Sequence, residues 1–238
     1  MKIQIALVAL GATAAFVVAY AQSTPKSPAP VAPGSIAGKI MYSGPTPELK
    51  TYSLNSEIDC EKMHPKGVVS QEVVLNPDHS LQNVLIYVKE GLPAQQYPTP
   101  TAIVNVDQSG CVFLPHVIAV MVNQPVRFIN SDTTTHNVHA MPATNRDWNV
   151  AQAKSSVEVT RFPKMEIGMP VRCNIHRWMH LTINVLSNPY FAVTGKDGSF
   201  VIKGLPPGEY TVEAFHEKFG KQTMKVKVGS RANFTFKG

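Results

Sequence analysis

Short stretches of alternating apolar and polar residues, or of clustered β-branched residues, recur along the whole chain, and no long stretch has the apolar period of a helix. Stretches of this kind, separated by turn residues such as Gly, Pro, Asn and Asp, are typical of β-strands. Strands are predicted at 35–42, 84–88, 102–106, 117–122, 126–130, 156–160, 171–174, 181–186, 200–202, 210–214 and 223–228. This spacing predicts an all-β protein built from sandwiches or barrels.

The first 21 residues have the pattern of a secretory signal peptide. Lys2 is followed by an almost wholly apolar run at 3–18 and by Ala19-Tyr20-Ala21, a small-x-small cleavage site. The run is shorter than the roughly 20 residues that span a bilayer, so cleavage after Ala21 is favoured over a retained anchor. We therefore expect a periplasmic, secreted or cell-surface protein that keeps no transmembrane segment.

The stretch after the signal peptide, residues 22–34, is rich in Pro, Ser and Ala and predicts an extended linker. The remaining chain is long enough for one large or two small domains. The formal charge is +6, with its basic excess near the C-terminus, and it is more simply explained by a solvated strand face than by a docking surface. No basic motif interleaved with aromatic residues predicts nucleic-acid binding.

Two separate stretches carry the candidate metal chemistry. Residues 171–186 contain Cys173, His176 and Met179 in a Cys-x2-His-x2-Met loop between two predicted strands, and His136 follows another predicted strand and a short polar loop. A thiolate, two imidazoles and a weak thioether are suited to a copper ion that alternates between Cu(I) and Cu(II). A site closed by four protein ligands favours electron transfer over catalysis.

These paired motifs resemble the ligand regions of cupredoxins, the type 1 copper proteins of the amicyanin and plastocyanin kind. The resemblance covers residues 101–187 and implies a cupredoxin Greek-key β-sandwich that binds one copper ion and exchanges electrons with a redox partner protein, such as a cytochrome or a dehydrogenase. It implies that Asn137 hydrogen-bonds across to the Cys173 loop. Asn174 lies beside a ligand, and Trp178 either shields the copper or packs in the core.

Three residues are candidates for the axial ligand. Met179 matches the short loop, whereas His180 is a harder donor one residue further on, and Glu166 is a carboxylate in the preceding region. Met179 is favoured, because His180 should point to the opposite side of a strand that begins there. By the same argument His139, three residues after His136, is not expected to reach the same ion, and no motif supports ligation by His116.

A second resemblance lies at both ends of the chain. The turn at Asp197-Gly198, the Pro206-Pro207-Gly208 turn and Tyr210 resemble the carboxypeptidase regulatory-like domain, a small prealbumin-type β-sandwich, and residues 34–40 resemble its first strand. The resemblance implies that residues 35–100 and 188–238 form this domain, with the cupredoxin domain of residues 101–187 inserted in it.

The three cysteines are Cys60, Cys111 and Cys173. If Cys173 serves as a copper ligand, the other two remain as a pair in an oxidising compartment, and we expect a Cys60–Cys111 disulfide. The alternative is two unrelated buried thiols.

Three functions are compatible with these features. The favoured one is an exported electron carrier, and the alternatives are a copper storage or delivery protein with the same ligands and a carbohydrate- or surface-binding module. An enzyme is not expected, because the sequence has neither a recognisable pair of catalytic carboxylates nor a nucleophile with an activating base.

Overall fold

The structure is a computed structural model that describes residue 32 and residues 34–54 and 57–238. The predicted signal peptide and nearly all of the predicted linker lie outside the described residues. The all-β prediction is confirmed: the described chain forms strands in several sheets. None of its helical segments has the length and apolar character of a membrane span.

One helix, α1 (Ile58–Met63), interrupts the strands and was not predicted. The strands are β1 (Ile36–Ser43), β2 (Thr51–Tyr52), β3 (Val68–Val69), β4 (Leu85–Glu90), β5 (Val104–Gln108), β6 (Phe113–Leu114), β7 (Val117–Met121), β8 (Val126–Asn130), β9 (His136–Ala140), β10 (Trp148–Gln152), β11 (Val157–Thr160), β12 (Glu166–Arg172), β13 (His180–Leu186), β14 (Phe191–Val193), β15 (Ser199–Ile202), β16 (Glu209–His216), β17 (Gly220–Lys227) and β18 (Phe234–Lys237).

A first core lies between two sheets of the central part of the chain. One sheet has the strand order β10-β9-β12-β13-β7 and the other has the order β11-β8-β5-β6. Alternate residues of these strands point inward, as in β8, where Val126 and Phe128 are buried and Arg127 is only partly buried. The inward residues of both sheets, including Val138 and Ile183, join one apolar cluster, which is the packing of a β-sandwich.

A second core is built from the two ends of the chain. The sheets β15-β1-β18 and β14-β4-β16-β17 enclose a cluster that includes Ile36, Ile86, Val212 and Phe234. The burial of β1 alternates strictly from residue to residue, so one of its faces is committed to this core. A small apolar cluster that contains Leu85, Tyr87 and Leu186 joins β4, from a sheet around the second core, to β13, from a sheet around the first core.

The segment between β1 and β4 divides its packing between the two cores. Leu54, Cys60 and Val68 belong to the first core. The prediction from the sequence placed residues 35–100 as a whole in the domain that contains the second core. Val73 and Leu81 belong to the second core. The proposed domain boundaries remain a prediction, but Leu54, Cys60 and Val68 pack with the central strands.

Strand pairing brings the copper motifs together. β9 begins at His136 and pairs with β12, where Arg172 lies opposite His139. β12 pairs in turn with β13, and the loop of residues 173–179 connects them. The Cys173 N–H donates to the Met179 carbonyl across the base of this loop (3.0 Å). The loop is therefore closed beside the first residue of β9.

Candidate metal centre

Three side chains predicted from the sequence lie together in the structure: His136, Cys173 and His176. A ligand atom of each lies within 4.8 Å of those of the other two. The two histidines are 0 % exposed and the cysteine 3 %. The two Nδ1 atoms are 2.9 Å apart, and the Cys173 Sγ lies 3.7 Å from the His176 Nδ1.

Asp132 sets the orientation of the first imidazole. Its Oδ2 lies 2.8 Å from the His136 Nε2, and its two oxygens also accept the backbone N–H groups of Gly110 (2.7 Å) and Cys111 (2.8 Å). A carboxylate has no proton to donate, so His136 donates through Nε2–H. Its Nδ1 therefore presents a lone pair to His176.

A second carboxylate lies near the other imidazole. The Glu57 Oε2 is 3.5 Å from the His176 Nε2, a longer contact than that between Asp132 and His136. The His176 Nδ1 faces the His136 Nδ1 at 2.9 Å. Burial, and after it the neighbouring His136, lowers the pKa of His176, so the neutral imidazole is favoured.

The two Nδ1 atoms, 2.9 Å apart, and the Cys173 sulfur converge in one buried place. The lowered pKa of His176 favours the neutral imidazole, which is the form that binds a metal ion. The buried sulfur of Cys173 completes a donor set of one thiol and two imidazoles, which is the set that copper electron-transfer sites use. The residues present therefore fit a copper ion.

Backbone groups hold the Cys173 sulfur in place. The N–H groups of Asn137 and His176 lie 3.3 Å and 3.4 Å from Sγ. The Asn137 side chain accepts the N–H of Asn174 at 3.2 Å, which is the cross-link to the ligand loop expected from the sequence. The Asn174 side chain turns outward to His139, at 3.2 Å from the Nδ1 of that ring. Together these contacts hold the loop against the start of β9.

Met179 lies at the end of the ligand loop and is 1 % exposed. Its N–H donates to the His176 carbonyl at 3.0 Å, and its own carbonyl accepts the Cys173 N–H. These contacts place Met179 beside both ligands that precede it. Its role as the axial ligand remains a prediction.

Neither alternative axial residue joins the three ligands within 4.8 Å. The His180 Nδ1–H donates to the Trp178 carbonyl (3.0 Å), and the His180 ring lies against His116. The Glu166 carboxylate accepts hydrogen bonds from residues 143–145, including the Ala143 N–H at 2.5 Å and the Asn145 amide at 2.9 Å. Both side chains are thus engaged elsewhere.

Helix α1 covers His176, and the sequence did not predict this cap. The expected Cys60–Cys111 disulfide is present, with 5.7 Å between the two Cα atoms, and it fastens α1 to the loop before β6. The Cys60 Sγ lies 4.0 Å from the His176 Nε2. On another side of His176, the Trp178 ring lies 5.2 Å away and its indole N–H donates to the Cys111 carbonyl (2.9 Å).

The side of the centre that faces Cys173 borders a cleft of about 600 Å³. The exposed cations Lys50, Arg172 and Arg177 line this cleft, together with Glu72 and His180. Although Cys173 itself is almost fully buried, it contributes to the wall. The cleft therefore brings solvent close to Cys173, whereas α1 lies against His176.

No sequence-family model matches the chain, and no curated protein matches it. The solved structures that resemble it are cupredoxins. A methionine-to-alanine variant of amicyanin in the Cu(I) state is 18% identical, and the match covers 35% of this chain and 82% of amicyanin, with a TM-score of 0.33.

Two further neighbours also contain a cupredoxin fold. The purple cupredoxin from Nitrosopumilus maritimus is 14% identical, with 35% of this chain and 99% of that chain covered and a TM-score of 0.31. The copper-containing nitrite reductase from Thermus scotoductus is 22% identical, with 43% of this chain but only 25% of that enzyme covered and a TM-score of 0.34. At these values the case for the metal centre rests on its own geometry.

Proposed function

We propose that this chain is an exported copper protein that transfers electrons through one copper ion bound by His136, Cys173, His176 and Met179. The observation that carries the proposal is the pair of buried imidazole Nδ1 atoms, 2.9 Å apart, beside a buried thiol, with the Asp132 carboxylate on the other nitrogen of the His136 ring. Hard cations such as Mg²⁺ prefer oxygen ligands, whereas copper takes thiolate, imidazole and thioether together.

Electron transfer is favoured by the way the ligands are held. The Asp132 carboxylate holds the His136 ring and backbone N–H groups hold the Cys173 sulfur, so a change of copper oxidation state would require little movement of these ligands. When bound, the copper ion would supply one-electron redox chemistry. The burial of His136, Cys173 and His176 leaves little room for a substrate beside the metal, which argues for a carrier rather than an enzyme.

The protein partner and the cellular location extend this proposal. A disulfide beside the copper centre is suited to an oxidising compartment such as the periplasm or the cell surface. The three cations that line the cleft next to Cys173 would attract a redox partner with an acidic docking surface. The part of the chain around the second core is proposed as a carboxypeptidase regulatory-like sandwich that carries the copper-binding part.

Absorption spectroscopy of the copper-loaded protein tests the central claim. We expect an intense visible sulfur-to-copper charge-transfer band that disappears on reduction and returns on reoxidation. Cys173→Ser should abolish the band, because a hydroxyl oxygen is a poor substitute for a soft thiolate. His139→Gln is the matched control, since His139 lies close by in β9 but outside the ligand group, and it should leave the band unchanged.

Two results would contradict the proposal. A visible band that survives in Cys173→Ser would exclude the thiolate as a ligand. Copper that passes quickly to a chelator and shows no reversible redox change would support a storage or delivery protein.

A further inference from the structure

A second group of potential metal ligands lies outside the copper centre. One ligand atom each from His116, His180 and Glu217 lies within 4.8 Å of the other two. His116 directly precedes β7, His180 begins β13 and Glu217 directly follows β16. The first two strands belong to a sheet of the first core and the third to a sheet of the second, so the group lies where the two parts of the protein meet.

The carboxylate of this group is held from two sides. The Glu217 Oε1 lies 2.5 Å from the His116 Nε2, and the Oε2 accepts the Thr182 hydroxyl at 2.7 Å. The carboxylate oxygen and the imidazole nitrogen therefore face each other directly. A divalent cation bound here would meet one oxygen and one nitrogen ligand already close together.

The third donor, His180, has one ring nitrogen free for a metal ion. Its Nδ1–H donates to the Trp178 carbonyl, so its Nε2 carries a lone pair. The ring meets that of His116 edge to face, with the ring centroids 5.0 Å apart. His180 also lines the cleft beside Cys173, which gives an ion a path from solvent to the group.

The His116 ring is buried, at 4 % exposed, and its Nδ1 has no hydrogen-bond partner in the part of the chain that the structure describes. That nitrogen is the one that does not face Glu217, so it is free to carry the ring proton. With the proton on Nδ1, the Nε2 presents its lone pair beside the carboxylate, which is the tautomer that a metal ion needs.

We propose that His116, His180 and Glu217 form a second metal site, which binds a borderline divalent cation of the Zn²⁺ type and joins the two cores of the protein. Two imidazoles and one carboxylate are a ligand set that zinc sites use, with a fourth position left for water from the cleft. The proposal does not depend on the copper assignment, because none of the three residues is a proposed copper ligand.

Zinc uptake by the copper-loaded protein tests this proposal. After exhaustive dialysis against ZnCl₂ at a fixed low free-ion concentration, elemental analysis should give one zinc per chain in addition to one copper. Glu217→Gln keeps the size of the side chain but removes its charge, and it should weaken zinc binding at least about tenfold while the copper stoichiometry stays at one. His180→Gln, a variant in a different strand, should have the same effect.

The matched control is Glu72→Gln. Glu72 lines the same cleft but is 45% exposed and paired with Lys218 at 3.0 Å, so its removal should leave zinc binding unchanged. Imidazole ¹⁵N NMR of the Cu(I)-loaded protein gives an independent measurement, in which added zinc should shift the ring nitrogens of His116 and His180 and leave those of His136 and His176 in place.

Three results would overturn the proposal. The first is copper-loaded protein that takes up no zinc in addition to its one copper ion. The second is zinc binding that is equally tight in Glu217→Gln and in the native protein. The third is a set of zinc-induced shifts at histidines other than His116 and His180. A loss of copper binding with zinc binding intact would contradict the proposed function and leave the second site standing.

Discussion

Asp132 offers a sharp test of how the protein prepares its copper ligands, because three buried or partly buried donors converge on its two oxygens. Oδ1 accepts the Gly110 N–H, while Oδ2 accepts both the Cys111 N–H and the His136 Nε2–H. The Asp132→Asn variant keeps the shape of the side chain but replaces one of these oxygens with an NH₂ group. Neither orientation of the new amide can satisfy all three donors.

Each orientation has a definite consequence. If the NH₂ group takes the position of Oδ2, it faces the His136 Nε2 and favours the tautomer that carries its proton on Nδ1, so the lone pair that faces His176 is lost. If it takes the position of Oδ1, it faces the Gly110 N–H, and the His136 hydrogen bond survives only with a neutral, weaker acceptor. The second orientation preserves the tautomer and should therefore predominate.

The expected losses follow from general magnitudes. Removing a group that orients a metal-binding histidine typically costs about 10- to 100-fold in metal affinity, equivalent to about 1.4–2.7 kcal/mol. The Gly110 N–H left unpaired in this orientation is partly buried, and its loss of a partner lowers the free energy of unfolding of the metal-free protein by at most about 1–3 kcal/mol. Asp132→Asn should therefore show both effects, with the copper ligands themselves unchanged.

Competition with a chromophoric Cu(I) chelator measures the affinity, and urea denaturation of the metal-free protein measures the stability separately. Asp147→Asn is the matched control, because Asp147 also faces a histidine, at 3.1 Å from the His139 Nε2, but is 64% exposed and lies outside the ligand group. It should change neither quantity. Native copper affinity in Asp132→Asn would refute the argument that this carboxylate prepares His136.

Three further outcomes are expected. Replacing Cys60 and Cys111 together with Ser should lower the free energy of unfolding by about 4 kcal/mol, because a loop of 51 residues is released in the unfolded chain, and an unchanged urea midpoint would contradict this. Burial would raise the pKa of Glu213, but hydrogen bonds from Lys89 and Tyr87 outweigh it and hold that pKa below its ordinary 4.5. The native protein should therefore exceed Glu213→Gln in stability at pH 7 and lose this advantage as the pH falls below about 4.5, which denaturation curves at several pH values would measure. Met179→Gln should keep copper but lower its reduction potential, since an oxygen donor favours Cu(II), and an unchanged potential in voltammetry would exclude Met179 as the axial ligand.

The features that could be predicted from the sequence depend on short-range patterns. Cys173, His176 and Met179 lie in a single loop, so their spacing alone indicates that they face a common point. His136 comes from another strand, so the loop spacing does not indicate it. It was predicted from its position after a predicted strand and a short polar loop. The disulfide followed from the number of cysteines and the expected compartment, and the structure confirms it.

The features that could not be predicted depend on contacts between distant segments. Helix α1 has only six residues, too few for an apolar period, and its position over His176 is fixed by a disulfide and by core packing rather than by local sequence. His116, His180 and Glu217 lie at the ends of three different strands, and only the meeting of the two cores brings them together. Sequence reasoning treated each of these histidines singly, and a single histidine carries no metal signal.

The surroundings of the two proposed histidine ligands show why such distant contacts matter for the chemistry. A histidine ligand is useful to a metal only when its donor nitrogen is free of a proton and faces the ion. Asp132 meets this condition for His136 from a position four residues earlier in the chain. His176 instead meets a segment that lies far earlier in the sequence, where the Glu57 carboxylate is 3.5 Å and the Cys60 sulfur 4.0 Å from its Nε2. The Cys60–Cys111 disulfide thus does more than stabilise the chain, because it holds this segment against one of the proposed ligands.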